Sequence, residues 1–324
     1  MTAAGTAVPA DGGTPPGRVV CVGGAVVDRL LHLLAPAVPR TSNPARGVSS
    51  FGGVARNVAE NLARLGVQVT LVSCVGDDAA GLGLLAHAQQ AGIDTSGVRS
   101  VPAASTAEYV AVLDPAGELE IGMAAMDVLA QIAVADLEAA LAGRGAGWVL
   151  LDCNLDPEVL AGCLAVARAA GARVAVDAVS TAKVVRLPAD LYGVDVLFLN
   201  LAEARALAEA RGVAVHEDDE PSAVGTAFAQ VGRLLGAQNV VLTRGDRPAL
   251  VLMPAGIAGM NVVGTPDVVD VTGAGDAFIG GTLAALVRGK DLADACMSGT
   301  RVALLTVASE HSVRPDLSPE DLLP

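Results

Sequence analysis

The sequence predicts an α/β fold, a parallel sheet covered by helices on both faces, with a small β flap added to it. Three observations predict it. The chain has 324 residues, 52% of them apolar and 17% charged, which excludes a disordered polymer and suits two domains or one large unit with an insertion. From Arg18 onward, short β-rich apolar runs alternate with helical patterns, as parallel strands joined by crossover helices do. Two segments, 29–50 and 106–122, break that alternation.

Val19 to Val22 is a short apolar run ended by Gly23 and Gly24. Val54, Val58, Leu62 and Leu65 line one face of a helix, and Gly66 stops it. Val67 to Val75 reads as a buried strand, and Ala79 to Ala91 as a helix stopped by Gly92. Later strands fall at Trp148 to Leu151, Val174 to Val176, Val196 to Leu199 and Val240 to Leu242. Helices fall near Glu158 to Ala170, Leu201 to Arg211 and Ala223 to Leu235. Of the two exceptions, 29–50 carries Pro36, Pro39 and Pro44. The other is a hairpin pattern, Tyr109 to Leu113 and Leu119 to Ile121 around Asp114-Pro115-Ala116-Gly117. The expected organisation is a disordered tail over 1–17, an α/β body over 18–28, 51–105 and 123–324, and a β lid made of 29–50 and 106–122. Two ordinary surface loops are the alternative to the lid.

Charge narrows the partners. With 21 basic and 35 acidic residues the net charge is −14, so nucleic acid and anionic membrane surfaces are disfavoured. The longest uncharged stretch, Pro248 to Pro266, is broken by Pro254, Gly256, Gly259 and Gly264, so no spanning helix is expected. Five cysteines without CxxC spacing fit reduced core thiols and a cytoplasmic protein. The four histidines show no ligand spacing. An anionic small molecule is still allowed, because backbone amides bind anions locally.

The strongest chemical signal is Asp270-Val271-Thr272-Gly273-Ala274-Gly275-Asp276, just before a helical pattern at Phe278 to Val287. Glycines at a helix start leave N–H groups free to receive a phosphate. Asp276 beside such an anion either takes a proton from a hydroxyl nucleophile or merely caps its helix. A second signal joins Asp28 to Gly52-Gly53-Val54-Ala55-Arg56-Asn57. A carboxylate, an amide and backbone N–H groups suit a vicinal diol; an ordinary helix start with an exposed Asp is the other reading. Asn200 and Glu203, three apart after a strand, fit either a hydrated Mg²⁺ with a phosphate oxygen or a capping arrangement. Thr243 and Gly245 follow the strand Val240 to Leu242 and read as a nucleotide border or a turn.

In this order the pieces resemble the ribokinase, or PfkB carbohydrate kinase, family, from about Arg18 to the end of the chain. Within it the chain looks most like pseudouridine kinases, on GGVARNVAENLARLG at Gly52 to Gly66, DCNL at Asp152 to Leu155, DAVSTAK at Asp177 to Lys183, NLAEA at Asn200 to Ala204 and SEHSV at Ser309 to Val313. The resemblance implies a Rossmann-like body with a β lid and an ATP-dependent kinase that phosphorylates a ribosyl hydroxymethyl group, most closely that of pseudouridine. Ribose, adenosine or fructose are alternative acceptors, and a non-catalytic sugar-binding protein is the alternative of another class. It implies Asp276 as the base; Gly273, Ala274 and Gly275 amides as the anion hole; and Asp28, Gly52, Gly53 and Asn57 at the substrate. Asn200, Glu203, Thr243 and Gly245 would serve the nucleotide, Glu203 with Mg²⁺, and Asp270 and Thr272 a monovalent cation, K⁺. A homodimer through the lid is expected. Two departures stand out. Val271 occupies the usual Thr position of the DTGAGD signature, and Ala125 stands where an acidic residue would precede Met126, with Asp127 one place on.

Overall fold

The computed structural model describes residues 17–143, 146–213, 236–253, 256–259 and 267–323. Residues 1–16 of the expected tail and the helix expected near 223–235 lie outside the described residues. In chain order the elements are β1 (Arg18–Val22), β2 (Val26–Leu33), β3 (Ala45–Gly52), α1 (Val54–Arg64), β4 (Gln68–Gly76), α2 (Ala79–Gln90), β5 (Asp94–Val101), β6 (Glu108–Leu113) and β7 (Leu119–Ala125). Then follow α3 (Val134–Leu141), β8 (Trp148–Asp152), α4 (Pro157–Ala169), β9 (Arg173–Asp177), β10 (Val196–Asn200), α5 (Leu201–Ala210), β11 (Val240–Arg244), β12 (Arg247–Met253) and β13 (Gly256–Gly259). The last two are α6 (Ala274–Val287) and α7 (Leu292–Val307).

Nine strands form one sheet in the order β13-β12-β11-β10-β9-β8-β1-β4-β5. Every pairing from β11 across to β5 is parallel. The expectation of a wholly parallel sheet fails at one edge, where β12 and β13 run antiparallel. Only Gly245 and Asp246 separate β11 from β12, and a parallel return needs a crossover of a dozen or more residues.

Strand residues alternate between two apolar layers. Val20, Val149, Leu151, Val176 and Leu197 pack with Leu137 of α3, Leu160 and Leu164 of α4 and Leu207 of α5. Cys21, Leu71, Leu150 and Phe198 pack on the other face with Leu62 of α1, Leu84 of α2, Phe278 and Leu283 of α6 and Val302 of α7. Phe198 meets Phe278 edge to face with ring centroids 6.3 Å apart. All five cysteines are buried and free. Helices α1 and α6 cross closely: a Cβ added at Gly280 of α6 would lie 2.6 Å from Cβ of Asn61 on α1.

A second sheet, β3-β2-β6-β7, stands apart from the first. It takes in Val26–Leu33 and Ala45–Gly52 as well as 108–125, so it is wider than the 29–50 and 106–122 read from the sequence. Asp28, assigned to the body from sequence, lies inside β2 of this small sheet. Strands β1, β8, β9, β10 and β11 end at Val22, Asp152, Asp177, Asn200 and Arg244, along the edge where α/β folds bind ligands.

Candidate active site

Two helix starts meet at that edge. Helix α1 begins at Gly53 (φ 93°) and α6 at Gly273 (φ 78°), both in the left-handed region. Each glycine is required twice over, by its φ and by space. A Cβ on Gly53 would meet the Gly24 carbonyl oxygen at 2.5 Å, and one on Gly273 would meet the Ser312 carbonyl oxygen at 2.0 Å. Neither helix start has a side-chain cap.

The amides of α1 are used by the protein. Ala55 N–H donates to Asp152 Oδ2 at 3.0 Å and Arg56 N–H to the Gly24 carbonyl at 3.1 Å. Asp152 is wholly buried and also accepts from the amides of Gly24 (2.9 Å) and Asn154 (2.9 Å). Burial pushes its carboxyl above the ordinary value, and those bonds pull it back. In α6, Ala277 N–H makes the first helical bond, to Gly273 O at 2.8 Å. Ala274 N–H turns back to the Val271 carbonyl at 3.2 Å, so it is partly engaged and not free as the sequence suggested. The second and third amides, of Gly275 and Asp276, have no carbonyl within the helix to bond. A Cβ on Gly275 would meet nothing within 4 Å, so this helix start is open.

Asp276 lies half-buried on the first turn of α6. Its Oδ2 accepts from Asn57 Nδ2 at 2.7 Å, a bond that spans 219 residues and ties the two helix starts together. Its pKa is pushed up to about 7, mainly by burial, against the Asn57 bond, with Asp152 and Asp28 adding to the rise and Arg56 opposing it. Asp276 is the third residue of α6 and its carboxyl bonds Asn57 on the neighbouring helix, so it does not cap α6; a carboxyl that ionises near neutral pH is able to exchange a proton there. Asp28, half-buried on β2, rises to about 6 through burial, opposed by the charge of Arg56. Gly52 lies against it: a Cβ there would fall 1.9 Å from Asp28 Oδ2. Asp28, Gly52, Gly53 and Asn57 are thus gathered with Asp276 around the start of α1.

A cavity beside Asp276 is lined by Asp177, Asn200, Glu203, Thr243 and Gly275, among others. It unites three of the four nucleotide-side residues read from sequence. Asn200 and Glu203 form a closed capping box on α5: Asn200 N–H to Glu203 Oε2 at 2.8 Å, Asn200 Nδ2 to Oε1 at 2.7 Å, and Glu203 N–H to Asn200 Oδ1 at 2.9 Å. Glu203 is 4% exposed, and burial raises its carboxyl. The capping reading is therefore realised. Gly245 is not among the cavity residues; its φ of 66° belongs to the β11–β12 turn. Asp270 accepts from Thr272 N–H at 2.8 Å in the loop before α6. Among the described residues no three His, Cys, Asp or Glu side chains cluster to hold a metal ion.

Three participants carried no role in the sequence reading: Asp152, Asp177 and Arg56. The first two end β8 and β9 in register and lie in the stretches DCNL and DAVSTAK, so a carboxylate closing a strand was the available signal. Burial raises Asp177 strongly, with Glu203, Asp276 and Asp152 adding to it. Val179, two residues on, lines the same cavity with φ 68°, strained for a β-branched residue. Asp127 is not part of this cavity. It opens a short 3₁₀ turn and lines a separate hollow with Thr106 and Gln131.

Comparison with known proteins gives the same picture. Residues 17–318 match the model of the pfkB family carbohydrate kinases. The pseudouridine kinase of Escherichia coli is 30% identical over 305 residues, 93% of each chain. The guanosine-inosine kinase of Exiguobacterium acetylicum is 27% identical, covering 93% of this chain and 98% of that protein. A carbohydrate kinase from Agrobacterium tumefaciens superposes with a TM-score of 0.78 at 32% identity, over 94% of this chain and 95% of that one. The Arabidopsis thaliana ribokinase complexed with ribose and ATP shares the fold at TM-score 0.76, 22% identity and 95% coverage of both chains. The chain belongs to the pfkB family of carbohydrate kinases, as a ribokinase-like phosphotransferase that acts on an alcohol group.

Proposed function

We propose that the protein transfers the γ-phosphoryl group of ATP to the 5′ hydroxymethyl of a ribosyl nucleoside, pseudouridine, giving pseudouridine 5′-phosphate and ADP. One observation carries the reading: the Asn57–Asp276 bond of 2.7 Å sets a carboxylate with a pKa near 7 between a clamp for hydroxyls and an open helix start. Asp276 takes the proton of the 5′ hydroxyl as its oxygen bonds to phosphorus and the bond to the ADP oxygen breaks. The amides of Gly275 and Asp276 neutralise charge on the moving phosphoryl group, and placement does the rest. Asp28, Gly53 and Asn57 hold the ribosyl hydroxyls. Asn200, Glu203 and Thr243 border the nucleotide.

Mg²⁺ bound with ATP would neutralise phosphate charge here. The donor set fits it: hard oxygens on Asp177, Asn200 and Glu203 suit an ion that keeps several waters and shares the phosphates. Asp270 and Thr272 are assigned to K⁺ on resemblance alone. The nucleoside assignment is supported by the E. coli relative and by register, because Tyr109 pairs with Asp28 in the small sheet and shares its face. A ring there can lie against a base while Asp28 holds the sugar. The small sheet would then act as the lid over the acceptor, excluding water. Its edges, β3 and β7, expose Val48, Ile121 and Met123, which supports pairing with a second copy. No described helix is long and apolar enough to cross a membrane, and the free buried thiols support a cytoplasmic setting.

A coupled assay of ADP release over pseudouridine, uridine, adenosine, guanosine, inosine, ribose and fructose tests the assignment. Pseudouridine is expected to lead in kcat/KM by at least about tenfold. A preference for free sugars overturns the nucleoside reading, and no ADP release with any acceptor overturns the kinase reading.

A further inference from the structure

Arg56 sits on the first turn of α1 with 2% of its surface exposed. Its Nη1 donates to Asn57 Oδ1 at 2.6 Å and to the Phe51 carbonyl. Its Nη2 donates to Glu60 and lies 3.3 Å from His87 Nδ1. Its Nε–H is buried with no partner. A buried cation with an unmet donor is a poor stabilising device, since desolvation opposes it. Its geometry toward the base is more telling.

Asn57 has one carbonyl oxygen and one NH₂. The oxygen is bound by a cation, so the NH₂ is the end left for Asp276, as observed. An amide turned the other way would set NH₂ against the guanidinium and oxygen against the carboxylate, and both contacts would be repulsive. We propose that Arg56 is a positioning residue for phosphoryl transfer, which locks the Asn57 amide so that it donates to Asp276.

The charges around Arg56 agree with this. Its guanidinium favours the ionised forms of Asp276 and Asp28, while Asp152 on β8 opposes ionisation of Asp276. On α1, Glu60 pairs with Arg56 and is also held by Arg64, Nε to Oε1 at 2.9 Å and Nη2 to Oε1 at 2.6 Å. Glu60 therefore keeps a partner when Arg56 is removed. On α2, His87 is held below its usual pKa by burial and by Arg56 and Arg64, which disfavours a second cation there. Arg56 thus supplies the positive charge that faces both carboxylates.

The inference rests on Asp276 being the base, and the test separates the two. Rates are measured from pH 5.5 to 9 with ATP and pseudouridine, or ribose if the panel prefers it, for wild type, Arg56→Met, Arg56→Lys and Asp276→Asn. Arg56→Met is expected to lower kcat at pH 7 by about 10- to 100-fold, the scale of a misplaced catalytic group. Its acidic limb should move up by about one pH unit, the effect of removing a nearby opposite charge. KM for ATP should stay within about twofold, because Arg56 does not line the nucleotide cavity. Arg56→Lys keeps the charge and should hold the limb near wild type. A folded Arg56→Met with kcat within about twofold and an unmoved limb overturns the inference and leaves the base intact. An active Asp276→Asn overturns the base itself. If Arg56→Met does not fold, the wild-type protein decides. The side-chain NH₂ resonances of Asn57 are expected to shift with the kinetic limb, and resonances that ignore pH over that range overturn the proposal.

Discussion

Helices α1 and α6 begin alike and then part. Both start at a left-handed glycine pressed against a carbonyl, and both lack a side-chain cap. In α1 the amides of Ala55 and Arg56 are taken by Asp152 and Gly24, so its positive end is spent on the protein's own groups. In α6 the amides of Gly275 and Asp276 are left over, beside open space. The lesson is that a glycine-led helix start is not yet an anion site. What lies opposite decides: a buried carboxylate makes α1 a scaffold for Asn57, and its absence leaves the start of α6 open, as the proposed receptor for a phosphoryl group must be.

The largest effect should come from the receptor side. Asp276→Asn is expected to cut turnover by at least about 100-fold in a coupled assay with folding intact. Turnover within a few-fold of wild type would break the comparison, since α6 would then hold no base. Acidity is a milder form of the same change. As the proposed base, Asp276 acts in its ionised form, and with its pKa raised to about 7 kcat/KM should fall about tenfold per pH unit below that value, and level off above it.

Next in size is the acceptor clamp. Asp28→Ala should raise KM for the nucleoside by about 10- to 100-fold, the value of hydrogen bonds to a charged group, and change KM for ATP little. The scaffold side should respond in stability. Asp152→Asn replaces one accepting oxygen with NH₂ against a backbone N–H, so urea unfolding should show a loss of about 1–3 kcal/mol. An Asp152→Asn protein with unchanged stability would mean that the amides of α1 do not depend on that carboxylate.

The smallest effect has the opposite sign. A carboxyl raised from 3.8 to about 7 by folding is a stabilising group only while protonated in the native state, and that contribution is lost as pH rises through 7. Asp276→Asn should therefore gain on the order of 1 kcal/mol at pH 8 after allowance for solvent screening, and nothing at pH 4. Thermal unfolding at the two pH values measures it.

The layered body was legible because its strands are unbroken apolar runs such as VVCV and WVLLD. β5 was not, because DTSGVRSV has only two apolar residues, Val98 and Val101, and reads as loop, as an edge strand can. The reversal of β12 was hidden because an apolar run looks the same in either direction. The site followed the same division. Gly273 to Asp276 and Gly52 to Asn57 were visible as local spacings. The bonds that make them a site were not, since Asn57 and Asp276 are 219 residues apart and Ala55 and Asp152 are 97 apart. Asn200 and Glu203 allowed two meanings; the reciprocal bonds show the capping one, and the place beside the nucleotide belongs to the proposed function.

The crossing at Gly280 has a mechanical consequence. Gly280 makes room on α6 for the side chain of Asn61 on α1, and Gly281 presses as closely on Val302 and Gly299 of α7. Three helices so wedged resist shear, so Asp276 and its amide partner Asn57 are held together as one stiff block. On the proposed function, the acceptor would enter by a swing of the four-stranded flap that leaves the wedge still. A bulkier residue at position 280 would act as a shim, splaying Asn57 from Asp276 without touching either.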